Sequence, residues 1–198
     1  MNGRKTVISK GLILCLLVSV AAPAGLFAGP DSRQGLIGAW YHGDDLTRVG
    51  TSIRQTHLNV VFDAQSGHGN EWSAQWAGYL EAPVSGNVTL HGDSNQELIV
   101  EAAGKKLVHV RQDDGRTSSG SLEMQKGEKY PLTVKYLQQA NNAPYFRVYW
   151  SWDGQDREIV SPDALSFTAD QAKWWNYTEK PDPRSEERRV GKECVSEC

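Results

Sequence analysis

The tryptophans are the first residues of this sequence whose chemistry suggests ligand binding. There are seven of them, more than a small core usually needs, and the flat face of an indole ring can stack on the C–H face of a sugar. We predict Trp72, Trp174 and Trp175 as exposed stacking platforms, with packing against this domain or a following one as the alternative. The other four fit the alternating positions of strands and are expected in the core: Trp40, Trp76, Trp150 and Trp152.

Side chains suited to catalysis form no recognisable pattern. The acidic pair in Asp113-Asp114-Gly115 is typical of a hairpin turn, and no feature holds two carboxylates across a cleft as glycoside hydrolysis requires. The sequence contains neither a G-x-S-x-G nucleophile elbow nor a phosphate-binding glycine loop. The histidines lack the spacing of a zinc site; they are His42, His57, His68, His91 and His109. These observations favour a protein that is not an enzyme.

Both ends of the chain differ in composition from the part between them. Residues 1–28 start with basic residues, continue into an apolar run and end in small residues, which predicts a secretory signal peptide and an exported protein, either secreted, periplasmic or at the cell surface. The run is too short for a spanning helix, so no membrane insertion is expected after signal cleavage. Residues 184–198 resemble translated sequencing-adapter read-through, and we interpret them as a non-native tail.

The stretch between these ends is acidic and contains no cysteine. Residues 29–183 carry 14 Lys and Arg against 20 Asp and Glu, a net charge of −6, and the three cysteines of the chain lie outside them. An acidic domain without a basic stripe argues against nucleic acid as a partner. Because no thiol is present, redox catalysis by cysteine is excluded and the domain has to rely on a hydrophobic core.

The elements that must position any site are β-strands. Between residues 35 and 167 apolar residues alternate with polar ones in short runs, which predicts an all-β domain over residues 29–167, an antiparallel β-sandwich or a barrel-like fold. Residues 168–183 are polar, aromatic and proline-ended, and are predicted to be a linker. Turn signals with glycine separate the strands: Val84-Ser85-Gly86, Ala103-Gly104, Asp114-Gly115, Lys126-Gly127 and Asp153-Gly154.

Four stretches resemble the protective-antigen (PA-fourteen) domain family. They are Gly35–Tyr41 (GLIGAWY), Trp76–Gly86 (WAGYLEAPVSG), the turn and strand within Leu122–Tyr136, and Val148–Trp150 together with Ile159–Leu165. The motif residues Trp76 and Gly78 are expected to serve the fold, because a missing side chain beside a large ring lets another element approach closely. The family occurs in bacterial toxins, glycosidases and fungal adhesins, so the resemblance implies a β-sandwich module that binds carbohydrate.

The resemblance also implies where the ligand binds. In sugar-binding members, two consecutive aspartates in a pattern S-D-D-G-x-x-L coordinate calcium, which holds the sugar hydroxyls. Here Asp93 matches the first aspartate, Ser94 replaces the second, and Asn95 replaces the glycine. Calcium takes about six to eight oxygen ligands and gains most from carboxylates, so the loss of one weakens such a site.

From this match we predict Asp93, Ser94, Asn95 and Trp72 as ligand-binding residues. Asp93 and Asn95 are candidate calcium ligands. The alternative is a polar turn in which these side chains bond their own backbone.

Three functions are compatible with these expectations. The first is a secreted, non-catalytic module that binds a glycan or cell-surface polysaccharide through surface loops. The second is an N-terminal accessory domain of a secreted glycosidase or sulfatase, followed by a catalytic domain. The third is a structural domain that binds protein. The sequence does not separate them, because a fold does not fix a function.

Overall fold

The computed structural model describes residues 32–42, 49–62, 72–111, 115–138 and 143–177. The predicted signal peptide, the predicted tail and the Asp113-Asp114 pair lie outside them. No helix in these ranges is long and apolar enough to cross a membrane. The strands are β1 Arg33–Gln34, β2 Leu36–His42, β3 Val49–Gln55, β4 Asn59–Val61, β5 Trp72–Glu81, β6 Gly86–Ser94, β7 Glu97–Ala102, β8 Lys105–Val110, β9 Thr117–Met124, β10 Lys129–Gln138, β11 Tyr145–Trp152, β12 Gln155–Ile159 and β13 Leu165–Phe167; the helices are a 3₁₀ turn, Pro162–Ala164, and α1, Ala169–Trp174.

The strands form two antiparallel sheets. The larger sheet has the order β1-β13-β5-β10-β7-β8, with β2 joined to β5 and β3 to β2, and the smaller has the order β12-β11-β6-β9, with β4 joined to β11. This arrangement confirms the predicted all-β class and the β-sandwich. Within the described residues neither sheet closes into a barrel, so the sandwich is the architecture that the chain adopts.

The core lies between the two sheets and follows the alternation of the sequence. On β10, Leu132, Val134 and Tyr136 are buried while Thr133 and Lys135 are partly exposed. Every second residue of β6 and β7 is buried in the same way. Each large apolar side chain removed from water in this manner stabilises the fold by about 1.5–3 kcal/mol, so the period-two pattern fixes which face of each strand turns inward.

Gly78 has the role that the sequence predicts for it. A Cβ atom at this position would lie 2.5 Å from the carbonyl oxygen of Ser166 and 2.7 Å from the side chain of Leu36. Ser166 belongs to β13, which pairs with β5 here. The missing side chain therefore lets β13 approach β5, and the neighbouring Trp76 is fully buried.

The predicted hairpin turns lie between consecutive strands. Val84-Ser85-Gly86 leads from β5 into β6, Ala103-Gly104 joins β7 to β8, Lys126-Gly127 joins β9 to β10, and Asp153-Gly154 joins β11 to β12. Two of them are confirmed as hairpins, because β7 pairs with β8 and β11 pairs with β12. The other two turns connect strands of different sheets, so the chain turns there but the hairpin prediction is wrong. The fifth turn signal contains Asp114, which lies outside the described residues.

Residues 168–177, predicted as the beginning of a linker, pack against the outer face of the larger sheet. The Thr168 hydroxyl accepts a hydrogen bond from the Gln171 backbone N–H, and the Gln171 side chain accepts one from the Thr168 backbone N–H. This capping box starts α1. Ala172 and Trp175 are buried in a small cluster with residues of β2 and β13. The helix spans six residues, too few for hydrophobic periodicity to reveal it.

Candidate functional site

Three of the four predicted binding residues, Asp93, Ser94 and Asn95, lie together at one end of the smaller sheet. Asp93 and Ser94 are the last two residues of β6, and Asn95 begins the two-residue connection to β7. Because side chains alternate along a strand, Asp93 points to the partly exposed outer face while Ser94 is buried, with 1% of its surface exposed. β11 pairs with β6 so that Phe146 lies opposite Ser94 and Arg147 opposite Asp93.

Asp93 contacts two side chains of β11. The Tyr145 hydroxyl donates a hydrogen bond to Asp93 Oδ1 over 3.2 Å, and a guanidinium nitrogen of Arg147 lies 3.6 Å from Asp93 Oδ2. Both charged side chains remain accessible, with 20% of Asp93 and 37% of Arg147 exposed. Ligand atoms can therefore reach a carboxylate and a guanidinium that already face each other.

Arg147 is held in place by further contacts. Its Nε donates a hydrogen bond of 3.1 Å to the Asn59 side-chain oxygen on β4, and its guanidinium carbon lies 4.9 Å from the centre of the Tyr145 ring. We call Asp93, Tyr145, Arg147 and Asn59 the Asp93 cluster. Three strands contribute to it, so the sheet fixes the relative positions of its donors and acceptors.

The Tyr145 phenol remains protonated. Burial raises its pKa, and the neighbouring Asp93 carboxylate raises it further, while Arg116 acts in the opposite direction. A protonated phenol can donate to Asp93, as the geometry shows, and it leaves the negative charge of the cluster on the carboxylate.

Ser94 and Asn95 bind the start of β11 and thereby fix the loop. The Ser94 hydroxyl donates to the Tyr145 carbonyl over 2.9 Å and accepts from the Gln96 backbone N–H. The Asn95 amide donates to the Ala143 carbonyl over 2.7 Å, and its oxygen accepts from the Tyr145 backbone N–H over 3.0 Å. The alternative is a polar turn in which Asp93 and Asn95 bond their own backbone. The bonds shown for these two side chains run instead to a segment about fifty residues away, and the local bond to the Gln96 backbone is made by Ser94.

As arranged, these residues do not fit a calcium ion. The Asn95 oxygen already accepts a backbone hydrogen bond, the Ser94 hydroxyl is buried and engaged, and Asp93 faces a guanidinium. No group of three or more His, Cys, Asp or Glu side chains suited to a metal occurs within the described part of the chain. A calcium site needs about six to eight oxygens, whereas here Arg147 places a positive charge beside Asp93.

The prediction of Trp72 as an exposed platform is wrong. Trp72 is 1% exposed, because it lies at the start of β5, between β2 and β10, and its ring packs against Trp40, Phe62 and Tyr136. The same prediction for Trp175 is also wrong. Trp175 is 7% exposed, because it packs in the small cluster with residues of β2 and β13.

Trp174 has the exposure that the sequence analysis assigns to it, with 76% of its surface accessible. The tryptophans expected in the core contact it: Trp76 and Trp150 are buried, and Trp40 and Trp152 are partly buried against the core.

Sequence reasoning missed Tyr145, Arg147 and Asn59. The alternation along β11 places Tyr145 and Arg147 on the outer face, so their exposure could be read from the sequence. Their proximity to Asp93 could not, because it depends on pairing between strands that are far apart in the chain.

Two described histidines contact polar side chains. His91 Nε2 lies 2.8 Å from the Ser151 hydroxyl, and His109 Nε2 lies 2.9 Å from Glu97 Oε1.

Comparisons with known proteins identify the family. The model of the PA14 domain matches residues 32–164, about two thirds of the chain. The chain belongs to the PA14 domain family. The resemblance of the four sequence stretches to the protective-antigen family is thereby confirmed. A search of curated proteins gave no match.

Solved structures share the PA14 fold with this chain at low sequence identity. An anti-sigma factor domain-containing protein is 21% identical with a TM-score of 0.64, covering 72% of this chain and 50% of its own. The epithelial adhesin 6 A domain from Candida glabrata, in complex with Galβ1-3GlcNAc, is 12% identical with a TM-score of 0.58, covering 74% and 93%. A PA14 sugar-binding domain from an RTX adhesin is 15% identical with a TM-score of 0.54, covering 68% and 98%. The present chain thus spans about half the length of the first of these proteins.

Proposed function

We propose that this PA14 domain is a carbohydrate-binding or adhesion module and that the Asp93 cluster contacts the sugar. Its partner is a glycan or a cell-surface polysaccharide. The observation that carries the proposal is the partly exposed pair of Asp93 and Arg147, held 3.6 Å apart in a fold shared with domains solved as sugar complexes. The third function, binding of protein, is an outcome of the tests below.

The chemistry of the cluster suits a sugar hydroxyl. A hydroxyl group both donates and accepts hydrogen bonds, so one hydroxyl can donate to Asp93 while a neighbouring one accepts from Arg147. Hydrogen bonds to charged groups contribute about 1.5–3 kcal/mol each. Because the contacts with Asn59 and Tyr145 already fix the guanidinium, little side-chain freedom is lost when the ligand binds.

We propose further that binding does not need calcium. In a calcium-dependent site the metal supplies the positive charge beside the carboxylate, and here the Arg147 guanidinium is in that position. Its donors can contact the sugar hydroxyls directly. Calcium binding by Asp93 and Asn95 remains the alternative that the same experiment tests.

The proposal places the protein outside the cytoplasm, as a secreted, periplasmic or surface protein without catalytic activity. The basic, apolar and small-residue pattern of residues 1–28 supports export. An accessory domain of a secreted glycosidase or sulfatase would use the same site to hold its enzyme on a polysaccharide. The binding proposal therefore covers both the independent module and the accessory domain.

The test is a glycan array followed by calorimetry with the best ligand, each with calcium and with a chelator. Arg147→Ala removes the cationic donor and is expected to weaken binding about 10- to 100-fold, which corresponds to about 1.5–3 kcal/mol. Arg157→Ala is the matched control, since Arg157 also lies over a tyrosine ring of β11, at 3.9 Å from the centre of Tyr149. It should change affinity less than about twofold, within the range of neutral surface substitutions.

Two results would contradict the proposal. A glycan array that shows no binding with or without calcium would refute carbohydrate binding and favour a protein partner. Binding that is lost when the chelator is added would refute the proposal that calcium is not needed, but not the proposal that the domain binds carbohydrate.

A further inference from the structure

A surface cavity of about 440 Å³ lies at the opposite end of the smaller sheet. It is lined by the loop before β6 and by the end of β11, namely Val84, Ser85, Gly86, Asn87, Trp152 and Asp153. Asn87 and Asp93 lie six residues apart on β6, which is about 20 Å along a strand. The cavity is therefore separate from the Asp93 cluster.

Trp152 forms one wall of the cavity and packs against the core. Its ring packs against Trp150 with the centroids 5.5 Å apart and the planes at 84°, and the buried Trp150 donates from Nε1 to Glu158 Oε1 over 3.1 Å. The pairing of β11 with β12 shifts register between Trp150 and Trp152, an irregularity that re-aims a side chain. Trp152 is accordingly only partly buried, although its position along β11 matches the inward-facing ones.

Polar groups surround the indole. Ser85, Asn87 and Asp153 are exposed, and the Ser85 hydroxyl is positioned by accepting a hydrogen bond from the Lys126 backbone N–H over 3.0 Å. Gly86 has φ of +124°, which side chains rarely adopt, and a Cβ atom there would meet nothing within 4 Å. The turn thus requires glycine for its backbone conformation, and the space beside it stays open.

We propose that this cavity is a second ligand-binding site that takes one neutral sugar unit. A sugar ring has an apolar C–H face that can lie on the indole and hydroxyl groups at its edge that can bond to an amide, a hydroxyl and a carboxylate. The volume falls within the range of small-ligand pockets, about 300–1,000 Å³. Among the described residues, no lysine or arginine side chain lines it, so an anionic ligand would meet the Asp153 carboxylate without a compensating cation from them.

The site is tested by NMR titration of ¹⁵N-labelled protein with lactose, galactose, glucose and N-acetylglucosamine. The indole N–H signal of Trp152, assigned by its loss in Trp152→Phe, is expected to shift with at least one of these sugars. Asp153→Ala and Asn87→Ala each remove about one hydrogen bond and should weaken that titration about 3- to 10-fold. Asp156→Ala is the charge-matched control, because Asp156 is exposed on β12 and does not line the cavity.

The outcomes separate this site from the Asp93 cluster. Arg147→Ala should leave the Trp152 titration unchanged if the two sites are independent. A Trp152 signal that responds to none of the four sugars overturns the proposal, even if signals of the Asp93 cluster respond and the proposed function stands. A Trp152 signal that responds to unstructured peptides and not to sugars also overturns it and assigns the cavity to a protein partner.

Discussion

The two ends of the smaller sheet use aromatic residues in different ways. At the Asp93 end four rings are buried beneath the surface, where Phe62, Trp72, Tyr136 and Phe146 pack with centroids 4.8–5.9 Å apart. The partly exposed ring at this end, Tyr145, is in contact with the Arg147 guanidinium. At the other end Trp152 lines an open cavity with a serine, an asparagine and an aspartate.

The difference shows that the number of aromatic residues does not locate a sugar platform. A ring serves the core when strands cover it on both sides, as they do for Trp72 between β2 and β10. It becomes available to a ligand where the pairing on one side has ended, as at Trp152, which pairs with Gln155 of β12 one residue beyond the last pair of β11 with β6. Position within the layers therefore decides whether an indole stabilises the fold or contacts a ligand.

The largest effect is expected for Trp72→Ala, which would remove the aromatic support of the Asp93 end. Because Trp72 is almost fully buried, its truncation leaves a cavity and should lower the free energy of unfolding by about 3–5 kcal/mol. Denaturant unfolding followed by fluorescence or circular dichroism measures the change. Trp174→Ala is the control, since Trp174 is 76% exposed, and it should change stability by less than about 0.5 kcal/mol. A similar loss of unfolding free energy in both variants would contradict the distinction between a buried and an exposed tryptophan.

Ser94→Ala is expected to have an intermediate effect confined to the Asp93 end. The change leaves the Tyr145 carbonyl and the Gln96 N–H without the hydroxyl that they contact, and unpaired buried polar groups cost about 1–3 kcal/mol. Thermal unfolding measures this loss against Ser119→Ala, which removes an exposed hydroxyl on β9.

The same Ser94→Ala variant sharpens the comparison between the two ends. Its NMR spectrum should change around Tyr145 and Arg147, while the Trp152 indole signal stays in place. A shifted Trp152 signal would show that the two ends are coupled rather than independent.

The smallest effect concerns His91, which lies between the two ends on β6. Its pKa is lowered from 6.5, first by burial and then by the positive charge of Arg157. The unfolded chain therefore takes up the proton more readily than the folded one, so stability falls as the pH drops below about 6.5. His91→Gln, which can keep a hydrogen bond to Ser151, should reduce the loss of melting temperature between about pH 7.5 and about pH 5.

The control for His91→Gln is His57→Gln, because the His57 side chain is exposed. Only the His91 variant should reduce the loss of melting temperature at acid pH. An equal reduction in both variants would show that His91 is not the source of the acid sensitivity.

Local patterns were sufficient for much of the fold. The alternation in β10 and β11 is a property of neighbouring residues, so it determined the buried faces, and the glycine signals determined where the chain turns between strands. Whether a turn joins paired strands or crosses to the other sheet did not follow from them. The position of Asp93 near a strand end followed from its match to a family motif. The sequence pattern did not predict α1, because its six residues are too few to show a helical period.

By itself the sequence determined an all-β fold, since strand periodicity and turn chemistry are properties of neighbouring residues, and the match to the family motif placed Asp93, Ser94 and Asn95 at one strand end. Only the tertiary structure decided that Arg147 lies between Asp93 and an asparagine 88 residues earlier in the chain, and that Trp72 is buried while Trp152 is partly exposed. Such contacts depend on which strands pair and in which register. That choice is made by the whole core at once, because a shift of one residue would turn every buried side chain to the opposite face.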